Sequence, residues 1–104
     1  MELYNVAVSA TARKDIRDAV SYINSELSAP RAAQEMEAAL KAGITGLAFA
    51  PKRYAIVSDD RMVCRGYRAL PIKNYLVFYK VDEPARTVQV VRVLFKRREW
   101  GALL

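Results

Sequence analysis

A chain of 104 residues with 17 Lys and Arg, 11 Asp and Glu, no His and one Cys makes a single domain, 1–104. It is large enough to bury roughly two thirds of its unfolded surface without metal or disulfide support. The lone Cys64 excludes an internal disulfide, and no apolar run approaches the ~18 residues of a membrane span. The opening MELYNVAVSA lacks a basic region ahead of a long apolar one, so a cytoplasmic protein with no membrane association is expected.

The first element is a strand. Tyr4-Asn5-Val6-Ala7-Val8 alternates and meets Ser9-Ala10-Thr11, where Ser9 or Thr11 serves as the cap of a helix. From Ala12 onward Ile16, Ala19, Val20, Ile23 and Leu27 form one apolar stripe, and Arg13, Lys14, Arg17, Asp18 and Glu26 occupy a solvated face. Ser28-Ala29-Pro30 ends that helix and starts another, with Ser28 or Ala29 at the cap and Pro30 in the first turn, where its missing N–H costs nothing. Ala32, Ala33, Met36, Leu40, Ile44 and Leu47 continue the stripe, so the spacing predicts a helix from about Ala29 to Leu47 or Phe49. Gly43 and Gly46 weaken its end and Pro51 stops it. The alanines suit close approach in an antiparallel helical hairpin.

Pro51 to Asp60 has turn composition, with Ala55-Ile56-Val57 as a short extended piece. The periodicity then changes from helical to alternating. Met62 to Leu70 reads as a strand in which Arg65 and Arg68 face opposite sides, and Cys64 within it is expected to be a buried thiol. Pro71 calls for an irregularity before the next strand, because it cannot donate to a ladder. Tyr75 to Tyr79 and Val88 to Phe95 are β-branched and aromatic, and Asp82-Glu83-Pro84-Ala85-Arg86 between them predicts a hairpin with a loop of about five residues. Both parities of the last strand are apolar, so one set should pack on the helices and the other line a protected surface. Trp100, Leu103 and Leu104 have the spacing of a short terminal helix.

Charge is concentrated in this second half. Residues 1–60 carry seven basic and eight acidic side chains. Residues 61–104 carry ten basic ones (Arg61, Arg65, Arg68, Lys73, Lys80, Arg86, Arg92, Lys96, Arg97, Arg98) against Asp82, Glu83 and Glu99. A net +7 on the sheet half attracts polyanions or acidic protein segments. Glu35, Glu37, Asp59 and Asp60 lack His or Cys at ligand spacing, so neither a metal nor another cofactor is expected. Tyr54, Tyr67, Tyr75 and Tyr79 interleave with the basic residues. Cross-strand packing is the ordinary role of aromatics in strands, and stacking on nucleobases is the alternative.

A strand, two helices with an Ala-rich start to the second, Gly66-Tyr67-Arg68, Tyr75 to Val81 and Val91 to Trp100 together resemble the RelE/ParE superfamily of toxins from bacterial type II toxin–antitoxin modules. The resemblance runs from Tyr4 to Leu104. It implies an α+β fold, β-α-α-β-β-β, with an antiparallel helical hairpin against a curved antiparallel sheet and a short C-terminal helix. It also implies a cognate antitoxin that wraps the toxin. RelE-type members cleave mRNA on the ribosome and ParE-type members poison DNA gyrase. In the first branch an Arg in the sheet, an Arg after the last strand and a Tyr near the C-terminus do the work. Arg97 matches the second, whereas the sheet Arg falls on Pro71 and the Tyr on Leu103, and Phe95 stands where many relatives carry His.

Cleaving RNA by 2′-OH attack needs proton transfer and cations around the phosphate. The favoured sequence reading is ribosome-dependent mRNA cleavage, in which Arg97, Arg98 and Lys73 form the catalytic set and Arg65, Arg68 and Lys96 bind the RNA backbone. Glu99, a Lys of depressed pKa or Tyr75 would have to move the proton, since Arg stays protonated. Gyrase poisoning without nuclease activity asks for no acid or base and is the alternative. A non-toxic protein-binding module is the third.

Overall fold

The computed structural model describes residues 3–54, 56 and 66–96. Strand β1 (Asn5–Val8) leads into helix α1 (Ala10–Ser25), followed by helix α2 (Pro30–Gly46) and a single 3₁₀ turn at Pro51–Arg53. Strands β2 (Arg68–Ile72), β3 (Tyr75–Asp82) and β4 (Thr87–Phe95) complete the order. The sheet runs β1-β4-β3-β2, with β2, β3 and β4 antiparallel and β1 parallel to β4. This is the α+β arrangement expected, with the helical hairpin on one face. The terminal helix expected around Trp100, Leu103 and Leu104 lies outside the described residues, as does Cys64.

Helix α1 begins where its cap says it should. Ser9 is extended (φ −64°, ψ 159°) and its Oγ accepts from the Ala12 N–H at 3.0 Å, satisfying one of the orphan donors of the first turn. Ala12, Ala19 and Ile23 are buried and Ile16 and Val20 half-buried against the core. Leu27 leaves the stripe. The helix stops at Ser25, Ser28 turns the chain at φ 49°, and Leu27 is 56% exposed. Helix α2 opens on Pro30 with Ala29 at its cap, buries Ala33, Met36, Leu40 and Ile44, and ends at Gly46.

Gly43 has a packing reason. A Cβ there would lie 2.6 Å from Ile72 Cδ1 and 3.3 Å from Leu70 Cδ2, so the bare backbone lets β2 approach α2. Pro71 sits inside β2, paired with Leu76. The strand tolerates it because β2 ends the sheet order among the described residues, a position in which a proline's missing N–H need not interrupt the ladder. Lys73-Asn74 joins β2 to β3, with Lys73 at φ 53°. The loop between β3 and β4 is Glu83 to Arg86, within one residue of the expected span.

The two-sided apolarity of β4 comes from a bulge. Phe78 pairs with Arg92 and Tyr79 with Val90, so Val91 is an extra residue on β4. The inward set therefore changes parity, from Val88 and Val90 to Val93. These join Leu70, Val77 and Tyr79 in the main core beneath the helices. On the other face Phe78 and Leu94 form a second buried cluster with Ala69, Leu76 and Val91.

Tyr79 is fully buried, and its hydroxyl donates to the Pro51 carbonyl at 2.5 Å. Burial pushes its pKa up from 10.0 to about 12. Because the folded value lies above the unfolded one, stability is whole below pH 10 and falls as pH rises toward 12, by up to about 3 kcal/mol. Urea unfolding near neutrality and at about pH 11 should show about half of this loss. Tyr79→Phe should be less stable by about 1 kcal/mol at neutrality and lose less at alkaline pH than the parent.

Candidate functional site

The expected cations divide between the two ends of the sheet. Lys73 lies in the turn between β2 and β3, and the backbone N–H of Lys96, the residue after β4, donates to Asn74 O at 2.9 Å. Both lysines are exposed and share one end. Arg68 opens β2, roughly 16 Å from Lys73 along the strand. Its Nη1 donates to Lys52 O at 3.2 Å and Tyr54 O at 2.7 Å, pinning the 3₁₀ turn to the sheet. Arg97 and Arg98, which follow Lys96 directly in sequence, and Arg65 lie outside the described residues. So does Glu99.

Beside the Lys73–Lys96 end, Tyr75 and Phe95 meet edge to face, with centroids 5.5 Å apart at 78°. They border a cavity of about 250 Å³ whose lining includes Asp15, Asp18, Tyr22 and Val93. Tyr75 is thus packed against a cross-strand neighbour, and Tyr79 belongs to the core. Tyr54 and Tyr67 remain half-buried at the other end of the sheet.

Arg92 contributes to the fold instead of to a free positive surface. Its Nε lies 2.7 Å from Asp15 Oδ2 and its Nη2 3.0 Å from Asp15 Oδ1, and Asp15 Oδ2 also accepts from the Val93 N–H at 3.0 Å. The side chains are only 20% and 12% exposed, and the hydrogen bonds that Arg92 donates to the Asp15 carboxylate raise the Arg92 pKa further. The counterion is legible only weakly in the sequence, as an acid one residue ahead of Ile16 in the apolar stripe.

At the far end, Glu83 accepts from the Tyr4 hydroxyl at 2.7 Å and from Lys52 Nζ at 2.5 Å, and Arg86 lies over the Tyr4 ring at 4.2 Å. The Lys52 contact, then that of Tyr4, holds the Glu83 carboxyl below its ordinary range. The same hydrogen bond from Tyr4 raises the phenol. These shifts, with those of Tyr79 and Arg92, all move away from neutrality. Among the described residues no group of three or more His, Cys, Asp or Glu could hold a metal, and no helix is long and apolar enough to cross a membrane.

Residues 6–100 match the family model of the ParE toxin of type II toxin–antitoxin systems, parDE. The chain belongs to that family. The fold of this ParE-family toxin is similar to that of a chain of the chromosomal ParDE system from P. aeruginosa, with a TM-score of 0.72 and 14% identity, over 88% of this chain and 95% of that one. It is also similar to a chain of the toxin–antitoxin complex RelBE2 from Mycobacterium tuberculosis, with a TM-score of 0.65 and 22% identity, over 89% and 98%. At such identities the likeness is one of fold. No curated protein matches the sequence.

Removing Asp15 from the toxin strands the Arg92 charge and the Val93 N–H together. Asp15→Ala should destabilise by about 3 kcal/mol, read from the urea midpoint. Asp18→Ala, which removes the exposed pair with Lys14, should leave the midpoint nearly unchanged.

Proposed function

We propose that this chain is the toxin of a two-component module, neutralised by a cognate antitoxin, and that it arrests growth by binding DNA gyrase rather than by cutting RNA. The observation that carries this reading is the use made of the sheet's polar groups. Arg68 and Arg92 hold the fold, the Tyr79 hydroxyl is buried, and the shifted groups among the described residues are poorer acids or bases near neutrality than their ordinary counterparts. A poison that works by binding needs no proton transfer, whereas RNA cleavage does. The ParE family model supports the same branch.

An antitoxin partner is supported by the similar folds, each from a toxin–antitoxin system. Two adjoining grooves of about 430 and 530 Å³ run along the helical hairpin and share Ile16 and Glu37. Val20, Ala33, Leu40 and Ile44 supply apolar lining, and Arg13, Arg17 and Lys41 add positive charge. An amphipathic segment with acidic flanks would suit both features. Either target lies in the cytoplasm, where the chain would act.

The second reading, ribosome-dependent mRNA cleavage, draws on one observation: Lys73 and Lys96 are exposed at the same end of the sheet. Arg97 and Arg98 follow in the chain and would hold the scissile phosphate there. Arg65 and Arg68 would add backbone contacts.

Expression of the toxin alone should stop growth, and co-expression of the neighbouring reading frame should restore it. Mapping of mRNA ends on ribosomes, run beside an assay for gyrase-mediated DNA breaks, should show intact messages and accumulating breaks. Cut messages with no breaks would establish the nuclease reading instead. Normal growth would point to a non-toxic binding module.

A further inference from the structure

Helix α1 presents two different sides. Arg17 and Ser21 line the hairpin groove, whereas Asp18 and Tyr22 line the cavity of about 250 Å³ that Tyr75 and Phe95 border from the sheet. On that second side Asp18, Tyr22 and Glu26 follow one another at four-residue steps, which places them in one row along the helix. The row holds to its end, because Glu26 keeps helical backbone angles (φ −73°, ψ −34°) and its N–H donates to the Tyr22 carbonyl at 2.9 Å. All three side chains are exposed. Tyr22 is 53% exposed and Phe95, across the cavity, 39%. Large rings left open beside each other are characteristic of a contact surface.

The charges around these rings are divided by element. The carboxylates of Asp18 and Glu26 stand on the helix. The ammonium groups of Lys73 and Lys96 stand at the end of the sheet, two residues before Tyr75 and one after Phe95, and are exposed. Lys14 engages Asp18 at 2.8 Å, but with side chains 68% and 63% exposed such a pair holds a carboxylate only weakly.

We infer that this surface pairs with a second copy of the same chain about a two-fold axis beside the cavity. A contact of that symmetry must be self-complementary, and a chain of net charge +6 repels its own copy wherever two basic surfaces face each other. Here the two halves of the surface are opposite in sign. A half-turn sets Asp18 and Glu26 of each copy against Lys73 and Lys96 of the other, and brings the Tyr22 and Phe95 rings together between them. The hairpin grooves lie on the other side of α1 and stay open to an antitoxin. Nothing in this pairing depends on whether gyrase or mRNA is the target.

Sedimentation equilibrium of the full chain over a concentration series should show monomer and dimer in exchange. Tyr22→Ala should weaken the dimer about tenfold or more. Asp18→Lys with Glu26→Lys sets lysines against lysines and should leave a monomer. Lys73→Glu with Lys96→Glu sets carboxylates against carboxylates and should do the same. Mixing these two variants restores both contacts with their signs exchanged, so a fluorescently labelled sample of the first should sediment as a dimer in the presence of the second. Arg31→Glu with Lys41→Glu makes the same change in net charge on α2, and should not shift the labelled variant. Every substituted side chain is exposed, so unchanged urea midpoints separate a lost contact from a lost fold. A parent chain that stays monomeric throughout the series, or a dimer that survives both sets of reversals, would overturn the pairing. So would a labelled variant that associates with neither partner, or with both alike.

Discussion

The open edge of β4 is the constraint on which the rest of the molecule depends. β1 pairs only with Thr87 to Val90, whereas β4 continues through Phe95. Beyond Val90 its backbone groups on that side meet no further strand among the described residues, and each left buried and unpaired would cost about 1–3 kcal/mol. The start of α1 supplies the partners. Ser9 N–H donates to Val90 O at 2.9 Å, Ser9 Oγ donates to the bulge carbonyl of Val91 at 3.0 Å, and the Asp15 carboxylate accepts from the Val93 N–H. Since Ser9 Oγ also accepts from Ala12 N–H, one hydroxyl both starts the helix and extends the sheet edge.

This junction explains the placement of much else. Fixing Ser9 and Asp15 on β4 sets where α1 lies, and the stripe of Ala12, Ile16, Val20 and Ile23 then joins Val88, Val90 and Val93 in one core. The bulge at Val91 reverses the inward parity in mid-strand and allows Phe78 and Leu94 to build a second cluster on the opposite face. Arg92, brought by the same bulge within reach of Asp15, finds a bidentate partner. A buried pair of that kind is a weak source of net stability, but it selects one seating of the helix, because any other leaves a charge and an amide without partners.

Legibility in the sequence followed the range of the interactions. The helical stripes, the cap at Ser9, the proline in the first turn of α2 and the β3–β4 hairpin are set by residues a few positions apart, and all stand in the structure. Leu27 left its stripe because periodicity does not register the reversal at Ser28. The parallel pairing of β1 with β4 joins Asn5 to Thr87, and no local pattern encodes a partner that distant. The bulge is invisible for a related reason: two apolar parities read alike whether a strand is covered on both faces or shifts register partway. Lys73 and Lys96 were legible as exposed cations, but the carbonyls that engage Arg68 and the carboxylate that engages Arg92 belong to other elements.

Charge counted along the chain therefore overstates the charge that a ligand meets, and the kind of cation matters as much as the number. Arg has a planar fork of donors that can satisfy several acceptors at once, whereas Lys is a compact charge on a flexible stem. The sheet uses them accordingly. Arg92 grips both oxygens of one carboxylate and Arg68 spans two carbonyls, while Lys73 and Lys96 stay exposed at the sheet's end. A phosphate arriving at the described sheet would meet point charges that bind without fixing its geometry. Such charges suit attraction and docking. In-line cleavage requires oriented donors around the phosphate, and the sheet's two described strand arginines have theirs turned inward to the fold.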